Sequence, residues 1–212
     1  MTMILYCFGE SGNSYKAALP LHLSGLDHEM VEVDFFGGEN RTPEYLSNIN
    51  EMGEAPALID GDVKLSQSGV IQDYIAEKSG KFYGSNDAER REVLRWVLWD
   101  NHKMSSMCGM TRFLCNFLPE DKRPQQVIGF NQGRLKGAWQ TMETALSGRD
   151  WLASAGPTMA DFSACGYLFY PEPFGFDRAD WPAIDAWLGR IENLDGYKAP
   201  YDLMPGRKSA SM

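Results

Sequence analysis

The chain has 212 residues, 43% of them hydrophobic and 23% charged, which is enough to bury a core in one large domain or two small ones. Its 20 basic and 29 acidic residues give a net charge of -9 without a basic stripe, which argues against nucleic acid and anionic membrane as partners. No apolar run is long enough to span a bilayer and no signal-peptide pattern is visible, so we expect a soluble, cytoplasmic protein.

The first part of the chain has an α/β pattern. The predicted order is β-α-β-α-β-β-α, with strands at residues 3–8, 28–34, 57–59 and 63–65, and helices at residues 16–23, 43–50 and after Ser68. Because a strand, helix, strand unit prefers a right-handed parallel crossover, the first two strands should lie side by side. Asp60-Gly61-Asp62 supplies the turn of a hairpin between the last two strands.

Strand signals vanish after a turn-rich boundary. Helical patterns follow at residues 88–118, 124–146, 158–170 and 183–194, and an irregular tail begins at Asp195 and is expected to fray at Ser209 to Met212. We therefore predict an N-terminal domain at residues 1–79, a linker at residues 80–87 and an all-helical domain with its tail at residues 88–212.

The cysteines show no pattern of a metal site or a redox motif. Their four positions contain no CxxC pair and no metal-ligand spacing, so we expect reduced, mostly buried thiols and no metal; the positions are Cys7, Cys108, Cys115 and Cys165.

The segment from Glu54 to Ser68 has the features of a peptide-binding site. Pro56 opens a strand and has no N–H, so Ala55 should keep a free main-chain N–H and C=O, which would point outward if the Ala55-Pro56 bond is cis. Residues 66–68 can cap the following helix, whose positive end binds carboxylates. The alternative is that Pro56 only blunts a sheet edge and Ser68 only caps a helix.

A capping box is predicted at residues 158–161. Thr158 as N-cap and Asp161 three residues later can satisfy two donors reciprocally at the start of an apolar helix. We expect a role in folding and not in catalysis.

The chain resembles the cytosolic glutathione transferases in three segments. Residues 54–58 resemble the family's cis-proline segment, Gln67-Ser68 resembles the pair that holds the γ-glutamyl group, and residues 158–161 resemble its buried capping box. The resemblance covers nearly the whole chain. It implies a thioredoxin-like domain followed by an all-helical domain, glutathione as cosubstrate, and a homodimer.

The resemblance also implies where glutathione binds. Ala55 and Pro56 should contact its cysteinyl unit, and Gln67 and Ser68 its γ-glutamyl group. One departure concerns the glycyl carboxylate, since Gly53 stands where several members have a histidine. The candidate cations that would bind the glycyl carboxylate in place of this histidine are Lys16, Arg41 and Lys64. The spacing selects none of them.

Three hydroxyls compete to stabilise the thiolate at the turn after the first strand. Ser11 lies where serine-type members place theirs and is the first choice, and Tyr6 lies where tyrosine-type members place theirs and is the second. Ser14 is expected to be an ordinary helix cap or a residue of the first helical turn. A backbone N–H near Ser11, or no hydroxyl at all, remains an alternative.

The electrophile pocket should lie between this turn and the long helix after the linker. The candidates for its lining are Trp99, Met104 and Met107, although such residues at helical spacing are usually core. His102 resembles a functional histidine of beta-type members, and the alternative is a surface histidine.

Two functions follow from these patterns. The first is a glutathione transferase that activates the thiolate for attack on an electrophilic, largely apolar small molecule. The alternative is a non-catalytic binding or structural protein on the same fold.

Overall fold

The computed structural model describes residues 2–206. They divide into two compact units, one formed by residues 2–83 with residues 195–206 and the other by residues 84–194. The tail from Asp195, which the sequence assigned to the helical domain, thus packs with the first unit, where the buried Tyr15 hydroxyl donates to the Lys198 carbonyl at 2.8 Å. The fraying predicted for Ser209 to Met212 lies outside the described residues.

The first unit is built on a four-stranded mixed sheet with the order β2-β1-β3-β4. Strand β1 is parallel to β2 and antiparallel to β3, and β4 is antiparallel to β3. The elements are β1 (Met3–Cys7), α1 (Gly12–Ser24), β2 (His28–Glu32), a 3-10 turn (Glu39–Arg41), α2 (Pro43–Asn48), β3 (Ala57–Asp60), β4 (Val63–Ser66) and α3 (Ser68–Ser79). The predicted thioredoxin-like architecture is confirmed.

A proline inside α1 is accommodated by α3. Pro20 has no N–H, so the carbonyl of Lys16 four residues earlier loses its helical donor. The fully buried Gln72 of α3 fills this vacancy, because its Nε2 donates to the Lys16 carbonyl at 2.9 Å. The carbonyl freed by Pro20 therefore ties the two helices together.

The second unit is helical. It contains α4 (Asp87–Asp100), a π-helical turn (Asn101–Ser105), α5 (Ser106–Asn116), a 3-10 turn (Glu120–Lys122), α6 (Gln125–Leu146), α7 (Met159–Ala164), a 3-10 turn (Arg178–Asp180) and α8 (Pro182–Glu192). The tail adds α9 (Pro200–Leu203) to the first unit. Of the helices described, none combines the length and apolarity needed to cross a membrane.

Two predicted helices differ from those observed. The helix predicted at residues 88–118 is divided by the π turn, in which the Ser105 hydroxyl donates to the buried Asp100 carboxylate five residues earlier at 2.7 Å. The helix predicted at residues 158–170 ends at Ala164. Beyond it the backbone N–H groups bond to carbonyls three residues earlier instead of four, and Gly166 disfavours continuation of the helix.

Asp161 organises the start of α7. It is fully buried, and Oδ2 accepts the Thr158 N–H at 2.8 Å and the Thr158 hydroxyl at 2.9 Å, forming the capping box. Oδ1 accepts the Leu152 N–H and the Trp187 indole N–H, both at 2.9 Å. Burial raises the pKa of this carboxyl, and the four donors oppose the rise. The carboxylate therefore joins the loop before α7, the start of α7 and helix α8.

We expect Asp161→Ala to lower the free energy of unfolding by about 3 kcal/mol or more, because several buried donors lose their acceptor together. Asn86→Ala is the matched control, since Asn86 caps α4 at an exposed position and should cost about 1 kcal/mol. Urea unfolding at neutral pH measures both. Equal losses for the two variants would contradict the organising role of Asp161.

Candidate functional site

Ser11 occupies the N-terminus of α1. Its backbone is extended, and its Oγ accepts the Ser14 N–H at 3.1 Å, so Ser11 is the helix cap. Ser14 lies in the first turn of α1, which is the second of the two positions expected for it. In residues 2–206 the Ser11 hydroxyl has no acceptor for its own proton. It can donate that proton to a ligand at the positive end of a 13-residue helix.

Tyr6 lies elsewhere in the first unit. It is in the middle of β1, opposite Val31 of β2 and Ala57 of β3, and is half-buried. Its position is within the sheet, whereas Ser11 is at a helix end. Among the candidate hydroxyls, Ser11 is the one at the helix cap, whereas the Ser14 hydroxyl, which also lacks a partner among the described residues, is fully buried in the first turn.

The main chain ahead of Pro56 is held by three polar side chains. Asn40 Nδ2 donates to the Gly53 carbonyl at 2.5 Å. The Glu54 carbonyl accepts from the Tyr45 hydroxyl at 2.9 Å and from Asn50 Nδ2 at 2.8 Å. All three donors are buried, so two consecutive carbonyls are fixed from inside the protein. These anchors were not foreseen in the sequence, where Asn and Tyr side chains carry no signal of such pairing.

Ala55 follows these anchored carbonyls directly. The Ala55-Pro56 bond is cis, the condition under which the sequence placed the main-chain groups of Ala55 outward. Neither the N–H nor the C=O of Ala55 makes a hydrogen bond within the described residues. One donor and one acceptor are thus available to an extended peptide.

The start of α3 offers a second set of donors. Gln67 has a φ of 67°, a sparsely populated conformation for a residue other than glycine, and its side chain does not cap the helix. The side-chain cap predicted from residues 66–68 is therefore absent. Within residues 2–206, the backbone N–H groups of Ser68 and Gly69 have no acceptor. This helix end can bind a carboxylate.

Gln67 itself is oriented by Glu54. Its Nε2 donates to Glu54 Oε2 at 2.7 Å, which joins the segment before Pro56 to the start of α3. The two halves of the predicted peptide site therefore lie side by side in the structure.

The three candidate cations differ in their surroundings. Lys16 is fully buried, and Lys64 donates to the Asn48 carbonyl at 2.6 Å. Arg41 is exposed at the end of the 3-10 turn, and its guanidinium makes no hydrogen bond or ion pair with any described residue. Arg41 is the cation most available to an anionic ligand.

The residues proposed for an electrophile pocket all lie in the helical unit. His102 is exposed in the π turn. Trp99 packs edge-on against Trp96, with ring centroids 5.2 Å apart. Met104 is only 1% exposed and is a core residue, whereas Met107 is half-buried. Their assignment to a pocket continues to depend on the resemblance.

The cysteines are poorly suited to act as nucleophiles. Burial, and secondarily the charge of Glu32, raises the pKa of the Cys7 thiol to about 12, and burial raises the pKa of Cys115. Cys108 and Cys165 are also buried. No group of three His, Cys, Asp or Glu side chains in residues 2–206 is arranged to hold a metal ion.

Comparisons with known proteins point to one family. Residues 1–77 match the glutathione S-transferase N-terminal domain, and residues 105–195 match the glutathione S-transferase C-terminal domain. Glutathione S-transferase F10 of Arabidopsis thaliana is 30% identical over 88% of this chain and 90% of its own. The disulfide-bond oxidoreductase YfcG of Escherichia coli (strain K12) is 26% identical over 90% of this chain and 91% of its own. A possible glutathione S-transferase from Rhodopseudomonas palustris superposes with a TM-score of 0.87 at 30% identity, covering 95% of this chain and 98% of that one.

We expect the native protein to have no rapidly reacting thiol at neutral pH. A thiol with a pKa of about 12 stays protonated until strongly alkaline pH, so Cys7 should resist iodoacetamide, and the half-buried Cys115 should be labelled slowly. Mass spectrometry of labelled peptides measures this, with protein unfolded in urea as the control in which all cysteines react. Rapid native labelling of Cys7 would contradict the assignment.

Proposed function

The chain belongs to the cytosolic glutathione transferase superfamily and is a glutathione S-transferase, and from this premise we propose that Ser11 holds the thiolate of glutathione for attack on an electrophilic, largely apolar small molecule. The observation that carries the proposal is the Ser11 hydroxyl, which caps α1 as an acceptor and keeps its proton to donate to sulfur.

Thiolate stabilisation is the chemical task of this site. A free thiol has a pKa of about 8.5 and is mostly protonated at neutral pH, and a hydrogen-bond donor at a helix N-terminus lowers that value. Each unit by which the pKa of the thiol is lowered corresponds to about 1.4 kcal/mol of preference for the thiolate. The thiol proton is released to solvent and the sulfur donates an electron pair to the electrophilic carbon. With an aryl halide a carbon–sulfur bond forms, the carbon–halogen bond breaks and halide leaves with its electron pair. The protein adds proximity between the two reactants.

The rest of glutathione is assigned to the groups that have no partner in the described residues. The N–H and C=O of Ala55 pair with its cysteinyl unit beside Pro56. The γ-glutamyl carboxylate binds the free N–H groups at the start of α3, with Gln67 and Ser68 around it. The support for this assignment is the match between an extended tripeptide with two carboxylates and the sites that the unit offers.

We assign the glycyl carboxylate to Arg41. This cation has no partner among the described residues and directly follows Asn40, which anchors the segment before Pro56. Lys16 is fully buried, and Lys64 is already paired with a carbonyl.

The proposal also covers the electrophile pocket and the assembly. Trp99, Met107 and His102 stay candidates for the electrophile pocket, whereas the burial of Met104 favours a core role. We propose a cytoplasmic homodimer, since the family is typically dimeric and large apolar side chains are exposed in both units, among them Met52, Leu94 and Leu98.

Ser11→Ala should raise the pKa of glutathione's thiol in the complex by about one unit and lower kcat roughly tenfold below that pKa, because the thiolate loses its donor. The loss should shrink at higher pH, where the thiol ionises in both proteins. Turnover of a generic aryl halide as a function of pH measures the effect.

Two controls separate chemistry from folding. Ser11→Thr keeps both the capping oxygen and the hydroxyl proton and should retain activity. Tyr6→Phe should leave the pH profile unchanged. A tenfold loss in Tyr6→Phe with full activity in Ser11→Ala would overturn the assignment.

Arg41→Ala should raise the KM for glutathione about threefold to tenfold, as expected for one charge-assisted contact. Lys64→Ala is the matched control, since it removes an exposed cation of the same unit and should leave KM nearly unchanged. The reverse ranking would assign the glycyl carboxylate to Lys64.

A further inference from the structure

A cleft of about 250 Å³ opens where β1 and β2 end. Because these strands are parallel, their carboxyl ends meet at one edge of the sheet, and the segments that follow them form the cleft walls. The lining residues are Phe8, Glu10, Glu32, Val33, Asp34, Phe35, Phe36 and Gly37. The cleft lies wholly within the first unit.

Three phenyl rings supply its apolar surface. Phe8 and Phe35 are stacked with centroids 4.6 Å apart and planes 10° apart. Phe36 meets both edge-on at 6.0 Å and is 49% exposed. Aromatic faces carry negative potential and attract organic cations, most strongly where water is displaced.

The polar lining is wholly acidic. Three of the eight residues are carboxylates and none is Lys, Arg or His. The Glu32 carboxylate makes no hydrogen bond or ion pair with the residues described. Asp34 Oδ1 accepts only the Gly37 N–H at 2.9 Å. An anionic ligand would meet repulsion here, and a cation would be attracted by the carboxylates of Glu32 and Asp34.

The cleft wall is held in place before any ligand binds. The Asp34 N–H donates to Glu39 Oε2 at 2.6 Å, and the Glu39 N–H donates to the Asp34 carbonyl at 3.0 Å. A Cβ at position 37 would overlap the Asp34 carboxylate, so Gly37 permits the close turn. A preformed site loses little entropy on binding.

We propose that this cleft binds an organic cation of the alkylammonium or arylammonium class, with the cationic group on the phenyl faces and between Glu32 and Asp34. Neutral molecules of the same shape should bind more weakly, and anions should be excluded. Glu10 of the cleft directly precedes Ser11 in the chain. Binding of the cation to the cleft does not depend on the proposed function. The statement that this cation is part of the second substrate rests on it.

Isothermal titration with choline tests the binding, and 3,3-dimethyl-1-butanol serves as the neutral molecule of the same shape. Wild type should bind choline in preference to the alcohol. Glu32→Gln and Asp34→Asn should each weaken choline binding about threefold or more, and Phe36→Leu should do the same. Asn keeps the acceptor for the Gly37 N–H, so Asp34→Asn should preserve the loop.

Glu29→Gln is the matched control, because it removes an exposed carboxylate of β2 outside the cleft and should not change choline affinity. Equal binding of choline and the alcohol, no choline binding at millimolar concentration, or an equal loss in Glu29→Gln would each overturn the proposal. Turnover of a neutral aryl halide is measured in parallel. Choline binding without turnover would sustain the cation site and reject the proposed function. Turnover without choline binding would sustain the proposed function and reject the cation site.

Discussion

The fixed position of two carbonyls ahead of Pro56 is the constraint on which the proposed peptide site depends. Asn40, Tyr45 and Asn50 donate to these carbonyls from inside the protein, so the segment cannot turn its main chain inward. Burial raises the pKa of the Tyr45 hydroxyl to about 12, which keeps it a neutral donor at all ordinary pH values. The N–H and C=O of Ala55 are thereby presented to a ligand at little cost in conformational entropy.

The N-terminal ends of two helices complete the proposed site, and both offer hydrogen-bond donors at the positive end of a helix dipole. α1 is capped by a serine whose hydroxyl proton has no acceptor among the described residues, and α3 begins with two N–H groups that likewise have none, so each end presents donors and a positive dipole. A soft thiolate suits the first and a carboxylate suits the second. The acidic, aromatic cleft beyond β1 has the opposite character and is suited to cations, so one unit offers separate surfaces for anionic and cationic groups.

Local patterns predicted much of this arrangement. The hairpin, the parallel β1 and β2, the proline at the start of β3 and the capping box at Asp161 each depend on residues close in sequence. The fold class, and main-chain groups of Ala55 without a partner in the described residues, could therefore be inferred. Individual side-chain pairings could not. Which serine caps α1 depends on where the helix begins, and the donors to the Glu54 carbonyl come from α2 and the loop after it. The π turn requires Asp100 to pair with Ser105, which helical periodicity does not encode.

Hydrogen exchange at the Ala55 amide tests the central claim most directly. In the free protein this N–H has no partner among the described residues and should exchange rapidly. S-methylglutathione carries no thiol and so isolates binding from catalysis. NMR should show slowed exchange at Ala55 as this ligand saturates the protein. Saturation with unchanged exchange at Ala55 would contradict the account, because the cysteinyl unit would then bind elsewhere.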